Sequence, residues 1–104
     1  RGLGDVYKRQ VMEPLLSGEF TLKDKWLYEY MRNLLETEDI FLEPSACAAF
    51  DGPARLLKYE ETRAYIREHG LEDKMKDAVH IAWATGGRLV PEDVREEYKK
   101  TCLD

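Results

Sequence analysis

The fold predicted for this chain depends on residues His80–Pro91, which read HIAWATGGRLVP. The longest apolar run, Ala78–Ala84, is interrupted only by His80. Its β-branched and aromatic side chains, bounded by two glycines, are typical of a fully buried strand. Proline followed by two acids then favours a helix start, because proline suits the first helical position and acids suit the first turn. This pattern places Thr85 at the carboxyl end of a buried strand.

Hydrophobic spacing elsewhere predicts several helices and one further strand. The predicted elements are a loop over Val11–Phe20, helices over Lys23–Glu38, Ala46–Phe50 (with Ser45 as N-cap), Pro53–Leu57, Glu60–His69 and Pro91–Lys100, and a strand over Ile40–Leu42. Two strands joined by helical crossovers imply parallel pairing. Two strands are too few for an independent parallel sheet with both faces covered. The predicted fold class is therefore α/β, as a fragment of a larger parallel-sheet domain.

Composition limits the classes of partner and compartment. The 104 residues permit one small domain or part of a larger one. A formal net charge of -5 argues against nucleic acid as the main partner, because phosphate binding needs clustered Lys and Arg. No apolar run approaches the roughly 18 residues that span a bilayer. No signal peptide is apparent and the two cysteines show no metal-ligand spacing, so we expect a cytoplasmic protein with reduced thiols and no metal site.

The first ten residues have no clear hydrophobic period and are excluded from the fold prediction. Arg1–Gln10 begins without Met and resembles a translated sequencing-adapter tail, so we expect a non-native leader and a protein that extends upstream of Val11. A natural disordered leader is the alternative.

Polar residues at the two predicted strand ends are the candidate site residues. Ligands of open α/β sheets bind at the carboxyl ends of the strands, where Glu43 and Thr85 would share one rim. The motif Thr85-Gly86-Gly87 is weak by itself, since glycine pairs usually form turns. A carboxylate that binds nearby backbone amides is the simpler interpretation of Glu43. His80 is expected to be a core histidine, not a catalytic base.

Two sequence blocks together resemble the C-terminal part of the bacterial D-serine dehydratase family. They are IFLEPSA at residues 40–46 followed by Gly52-Pro53, and HIAWATGG at residues 80–87 followed by VPE at residues 90–92. LSGEFTL at residues 16–22 is similar as well. The likeness runs from about Val11 to Lys100 and amounts to roughly the last fifth of a full-length enzyme. This family lies in the tryptophan-synthase-β-like class of pyridoxal phosphate enzymes.

The resemblance implies a fragment of the three-layer αβα domain of a fold-type II pyridoxal phosphate enzyme, with residues 11–104 as the C-terminal part of its catalytic domain. It implies α,β-elimination of a small amino acid, D-serine, to pyruvate and ammonia, with pyridoxal 5'-phosphate as cofactor. Thr85 matches the threonine that hydrogen-bonds the pyridine nitrogen, and Gly86 would let the backbone pass close to the ring. Glu43 and Ser45 match the other block and are expected to line or support the wall of the site.

Other family features are missing from this chain or differ in it. The Schiff-base lysine and the glycine-rich phosphate loop are absent, so the chain is expected to be inactive alone. Arg88 stands where the family often has a third glycine, and Arg tolerates positive φ poorly. Asp51 is expected to face solvent. The alternatives are another enzyme of the class (an L-serine or L-threonine dehydratase or a serine racemase) and a complete, non-catalytic α/β interaction module. The oligomeric state is left open, a monomer included.

Overall fold

The computed structural model describes residues 3–103, and the side chains of residues 8–103. Within this range the α-helices are Leu3–Met12 (α1), Asp24–Glu38 (α2), Gly52–Lys58 (α3), Glu60–Glu68 (α4) and Glu92–Lys100 (α5). Two 3-10 helices span Pro44–Asp51 (the first 3-10 helix) and Glu72–Asp77 (the second 3-10 helix). No helix in this part of the chain is long and apolar enough to cross a membrane.

The predicted α/β fold class, a parallel-sheet αβα fragment, is wrong, because residues 3–103 contain no β-strand. Ala78–Ala84 has no regular secondary structure and lies at the surface, with Val79 85% and Ile81 89% exposed. His80, expected in the core, is exposed as well. A strand is stable only when neighbouring strands pair with its backbone groups. No such neighbour lies beside this segment in the part of the chain that the structure describes.

The core forms where α2 packs against the first 3-10 helix. Its buried members are Met31, Leu42, Ala46 and Cys47. The small side chains of Ala46 and Cys47 let the 3-10 helix approach α2 closely, whereas the sequence predicted that they would face a sheet. The predicted cap at Ser45 is also wrong, because the helix begins at Pro44 and Ser45 is exposed.

The helix α2 follows its predicted pattern closely. Its apolar residues recur at helical spacing, and Met31 is completely buried at the centre of that stripe. The helix ends at Asp39, which adopts a left-handed conformation with φ 54°. The N–H of Asp39 donates to the carbonyl oxygen of Leu35 at 3.0 Å and so satisfies one of the last free carbonyls of the helix.

The helix α5 docks on α2 through an aromatic pair and a hydrogen bond. The rings of Tyr28 and Tyr98 meet edge to face, with centroids 6.1 Å apart. Nη1 of Arg32 donates to the carbonyl oxygen of Thr101 at 2.6 Å, just beyond the end of α5. These contacts fix α5 relative to the core, which determines where the residues at its start are placed.

The N-terminal region differs from the prediction in part. The leader was excluded from the fold prediction, yet its Leu3–Gln10 stretch lies within α1; Arg1 and Gly2 are outside the described residues. The loop predicted over Val11–Phe20 begins later, because Val11 and Met12 still belong to α1. The chain from Glu13 onward to Lys23 has no helix or strand, as expected from Pro14 and Gly18.

Candidate functional site

The two sequence blocks that carry the candidate site meet at a glycine turn. The backbone N–H of Glu43 donates to the carbonyl oxygen of Gly86 at 3.2 Å. Gly87, the next residue, adopts φ 144° and packs on the backbone of Phe41 and Leu42. Residues far apart in sequence therefore form one local structure, although a backbone hydrogen bond and close packing join them instead of a sheet.

Thr85 stands at the exposed start of this turn. Its side chain is exposed, and its hydroxyl makes no hydrogen bond to any other residue in the described range. A threonine hydroxyl can both donate and accept a hydrogen bond. The structure therefore presents an accessible, uncharged hydrogen-bonding group on a backbone that its neighbours hold in place.

Gly86 is packed on one side by the carboxylate of Glu43. A Cβ atom added at Gly86 would lie 2.6 Å from Oε1 of Glu43, so a side chain at this position would require the Glu43 carboxylate to move. The missing Cβ at Gly86 leaves room for the Glu43 carboxylate. The contact expected between Gly86 and a cofactor ring stays a prediction. Ser45 lies two residues further on and is exposed, at the start of the first 3-10 helix.

Arg95, which the sequence analysis did not single out, binds the turn from its other side. Its Nε donates to the carbonyl oxygen of Val90 at 2.9 Å, and its Nη2 donates to those of Gly87 at 3.1 Å and Arg88 at 2.8 Å. The guanidinium carbon also lies 4.7 Å from the centroid of the Phe41 ring. One sequence signal was available: a cation in the first turn of a helix opposes the helix dipole, and such a residue needs another partner.

The turn itself is closed by a backbone hydrogen bond. The N–H of Val90 donates to the carbonyl oxygen of Gly87 at 3.2 Å. Arg88 does not adopt positive φ; the strained conformation falls on Gly87, which tolerates it. Arg88 is therefore compatible with the conformation of this turn.

A second polar cluster lies away from the glycine turn. The carboxylate of Asp51 accepts hydrogen bonds from the Tyr30 hydroxyl and from Nε of Arg55. Only 16% of the Asp51 side chain is exposed, so the expectation that it faces solvent is wrong. Burial raises the pKa of the Asp51 carboxyl, but the hydrogen bonds from Tyr30 and Arg55 outweigh it and lower the pKa below its usual value. The hydrogen bond to Asp51 raises the pKa of Tyr30 to about 12.

Arg55 also lines a groove on this side of the molecule. The guanidinium carbon of Arg55 lies 4.8 Å from the Phe20 ring centroid and 5.2 Å from that of Tyr59. The groove encloses a volume of about 760 Å³, and Thr85 and Glu43 are not among its lining residues. The groove and the glycine turn are therefore separate features, and the charge of Arg55 is already paired with Asp51.

The relatives found by comparison with known proteins include several named probable D-serine dehydratase. No protein-family model matches the chain. The chain is 47% identical over 94 residues to the probable D-serine dehydratase of Fusobacterium nucleatum. This match covers 90% of the chain and 21% of the relative. The chain is 48% identical over 92 residues to the probable D-serine dehydratase of Bacillus anthracis, and the match covers 88% of the chain and 20% of the relative. The protein of that name in Geobacillus stearothermophilus is 47% identical over 88 residues, and the match covers 85% of the chain and 19% of the relative.

The predicted resemblance to D-serine dehydratase is confirmed by these relatives. The chain spans about one fifth of the length of the curated relatives that it matches. The first of these matches covers 94 of the 104 residues, so it includes both the glycine turn and the block that packs against it.

Proposed function

We propose that this chain is the C-terminal fifth of a pyridoxal phosphate-dependent D-serine ammonia-lyase, which converts D-serine to pyruvate and ammonia. The observation that carries the proposal is 47% identity over 94 residues to a protein named probable D-serine dehydratase. In this proposal residues 11–104 belong to the catalytic domain and residues 1–10 do not. A cytoplasmic location is part of the proposal.

The role of Thr85 in this proposal is to hold the pyridine nitrogen of the cofactor. When bound, pyridoxal phosphate withdraws electrons from the substrate and stabilises negative charge at its α-carbon. The exposed hydroxyl of Thr85 fits a hydrogen bond to a ring nitrogen, because it is uncharged and has no competing partner among the described residues. A carboxylate at this position would favour a protonated nitrogen, whereas threonine leaves the nitrogen neutral, which suits loss of a β-hydroxyl group better than transamination.

Glu43 and Ser45 support the wall of the same site in this proposal. The Glu43 carboxylate lies against Gly86, and the Glu43 N–H donates to the Gly86 carbonyl oxygen at 3.2 Å. Both contacts act on the residue next to Thr85. Glu43 therefore limits how far the turn moves toward the body of the protein.

A chimeric enzyme tests the proposal, because the chain alone lacks the lysine that binds the cofactor. In it, residues 11–104 of this chain replace the matching segment of the Fusobacterium nucleatum relative. We expect the chimera to take up pyridoxal phosphate and to release pyruvate from D-serine faster than from L-serine. A folded chimera that binds the cofactor but releases no pyruvate from D-serine would contradict the proposed function.

Substitutions of Thr85 in the chimera test the ring-nitrogen contact. Thr85→Asp is expected to shift the absorbance spectrum of the bound cofactor and to lower pyruvate release about tenfold or more, a change of about 1.4 kcal/mol in the activation barrier. Thr85→Ser retains the hydroxyl and serves as the matched control, with spectrum and turnover close to those of the unsubstituted chimera. If Thr85→Asp leaves both the spectrum and the turnover unchanged, Thr85 does not contact the ring nitrogen.

A further inference from the structure

We propose that Arg95 is the positioning residue for Thr85: it fixes the glycine turn and thereby sets where the Thr85 hydroxyl meets the cofactor ring. The inference rests on the proposed function and adds to it a residue from outside both sequence blocks. Arg95 contacts no substrate or cofactor in this scheme. It acts through the backbone of the turn.

The contacts of Arg95 hold the turn at several points. Its planar guanidinium presents five N–H donors in a fixed fork, which suits several acceptors at once. Three backbone carbonyl oxygens accept from it, those of Gly87, Arg88 and Val90, at distances of 2.8 to 3.1 Å. Binding three carbonyls within four residues restricts the turn far more than one hydrogen bond does.

The same side chain connects the turn to the rest of the fold. The guanidinium carbon lies 4.7 Å from the centroid of Phe41, whose backbone packs against Gly87. The backbone N–H of Arg95 donates to the carbonyl oxygen of Pro91 at 3.0 Å and forms the first hydrogen bond of α5. Arg95 therefore links three parts of the chain, namely the turn, the start of α5 and the Phe41 segment.

A continuous set of contacts then runs from the core to Thr85. α5 is held on α2 by the pair Tyr28–Tyr98 and by the hydrogen bond from Arg32 to Thr101. Arg95 transmits this position to Gly87, two residues after Thr85. Without Arg95, the turn would retain the Glu43–Gly86 and Val90–Gly87 backbone hydrogen bonds. Loss of the guanidinium should therefore loosen the turn without unfolding the chain.

The first test measures the turn itself in the 104-residue chain, without any cofactor. Arg95→Ala is expected to speed amide hydrogen exchange of Val90 about tenfold, since the Gly87 carbonyl that accepts this N–H is no longer held. Arg95→Lys retains the charge but not the fork and should give a smaller increase. Lys99→Ala is the matched control, because it removes a cation from the same helix without touching the turn. In the described part of the chain the Lys99 ammonium pairs only with Glu96, at 2.7 Å. Unchanged exchange at Val90 in Arg95→Ala would overturn the proposal.

The second test uses the chimeric enzyme loaded with pyridoxal phosphate. Arg95→Ala is expected to shift the cofactor spectrum in the direction given by Thr85→Val, which removes the hydroxyl contact, and to lower kcat for D-serine about tenfold with little change in KM. Arg95→Lys should partly restore both. The proposal is overturned if the spectrum and kcat of Arg95→Ala equal those of Lys99→Ala. If the unsubstituted chimera binds no cofactor, the proposed function fails first and this inference fails with it.

Discussion

Gly87 lies so close to Leu42 that a Cβ atom at position 87 would be 2.7 Å from the Leu42 Cα atom. The same added atom would be 2.7 Å from the carbonyl oxygen of Phe41. Real Cβ atoms do not approach backbone atoms this closely, and φ 144° at Gly87 is a conformation that L side chains rarely adopt. The two segments of the candidate site can meet only because position 87 has no side chain.

Gly87→Ala is therefore expected to lower the free energy of unfolding by about 2–4 kcal/mol, through backbone strain and overpacking against Leu42. Gly86→Ala should cost less, because the atom in its way is the mobile carboxylate end of Glu43. Gly70→Ala is the matched control for strain alone, with φ 63° and open space around it, and should cost about 1–2 kcal/mol. Denaturant unfolding followed by circular dichroism measures all three. Equal midpoints would show that Gly87 is not packed as described.

The Asp51 carboxylate should make stability depend on acid. Its hydrogen bonds from Tyr30 and Arg55 hold its pKa below the usual value in the folded chain, although burial opposes them. A lowered folded pKa contributes stability above the ordinary Asp pKa of about 4, and this contribution disappears as the pH falls through the lowered value. Asp51→Asn is expected to cost about 1–3 kcal/mol at neutral pH and to flatten the loss of stability below about pH 4.

The control for this prediction is Asp73→Asn, at an exposed acid in the second 3-10 helix. Urea unfolding of each variant across the acid range measures the effect. A stability profile of Asp51→Asn parallel to that of Asp73→Asn would show that the Tyr30–Asp51–Arg55 cluster does not stabilise the fold.

The two cysteines should differ strongly in reactivity. Burial raises the pKa of the Cys47 thiol to about 11, whereas Cys102 is exposed. The thiolate is the reactive form, so at about pH 8 iodoacetamide should alkylate Cys102 at least about 100-fold faster than Cys47 in the folded chain. Peptide mass spectrometry at timed intervals measures the two rates. Denaturant should equalise them, and equal rates without denaturant would contradict the buried position of Cys47.

Two isoleucines should respond differently to the same substitution. Ile81→Ala is expected to change the free energy of unfolding by less than about 0.5 kcal/mol, because the side chain is 89% exposed. Ile66→Ala should cost about 2–4 kcal/mol, because Ile66 is buried in α4. Thermal unfolding of the two variants compares them directly. A larger loss for Ile81→Ala would indicate that the segment around it is packed in solution.

The helices could be predicted from sequence because their signals are local. The prediction of Lys23–Glu38 differs from α2 by one residue, and that of Pro91–Lys100 differs from α5 by one residue. Both rest on apolar spacing and charged ends, which depend on neighbours within a few positions. The strand predicted at Ala78–Ala84 failed because an apolar run does not specify its own partner. Strand pairing is a non-local property, and the described residues supply no pairing strand.

The candidate site, like the fold, could be predicted from sequence only in part. The expectation that Glu43 and Thr85 lie near each other came from the two sequence blocks at residues 40–46 and 80–87. In the structure, Glu43 lies against Gly86, the residue after Thr85. The position of Arg95 in the first turn of α5 signals that it needs a partner, but the sequence does not show which one. The Gly87 carbonyl that accepts from Arg95 lies eight positions away, and the Tyr30 hydroxyl that donates to Asp51 lies 21 positions away.

Trp83 is 79% exposed and stands in the middle of the apolar segment 78–84. Indole emission shifts to the blue when water is removed from around the ring. Trp83 is therefore an intrinsic fluorescent reporter. A polypeptide or ligand that shields this segment from water should shift the Trp83 emission to the blue, and no added dye is needed to detect it. Trp83→Phe would show how much of the signal comes from this position and how much from Trp26, the other tryptophan of the chain.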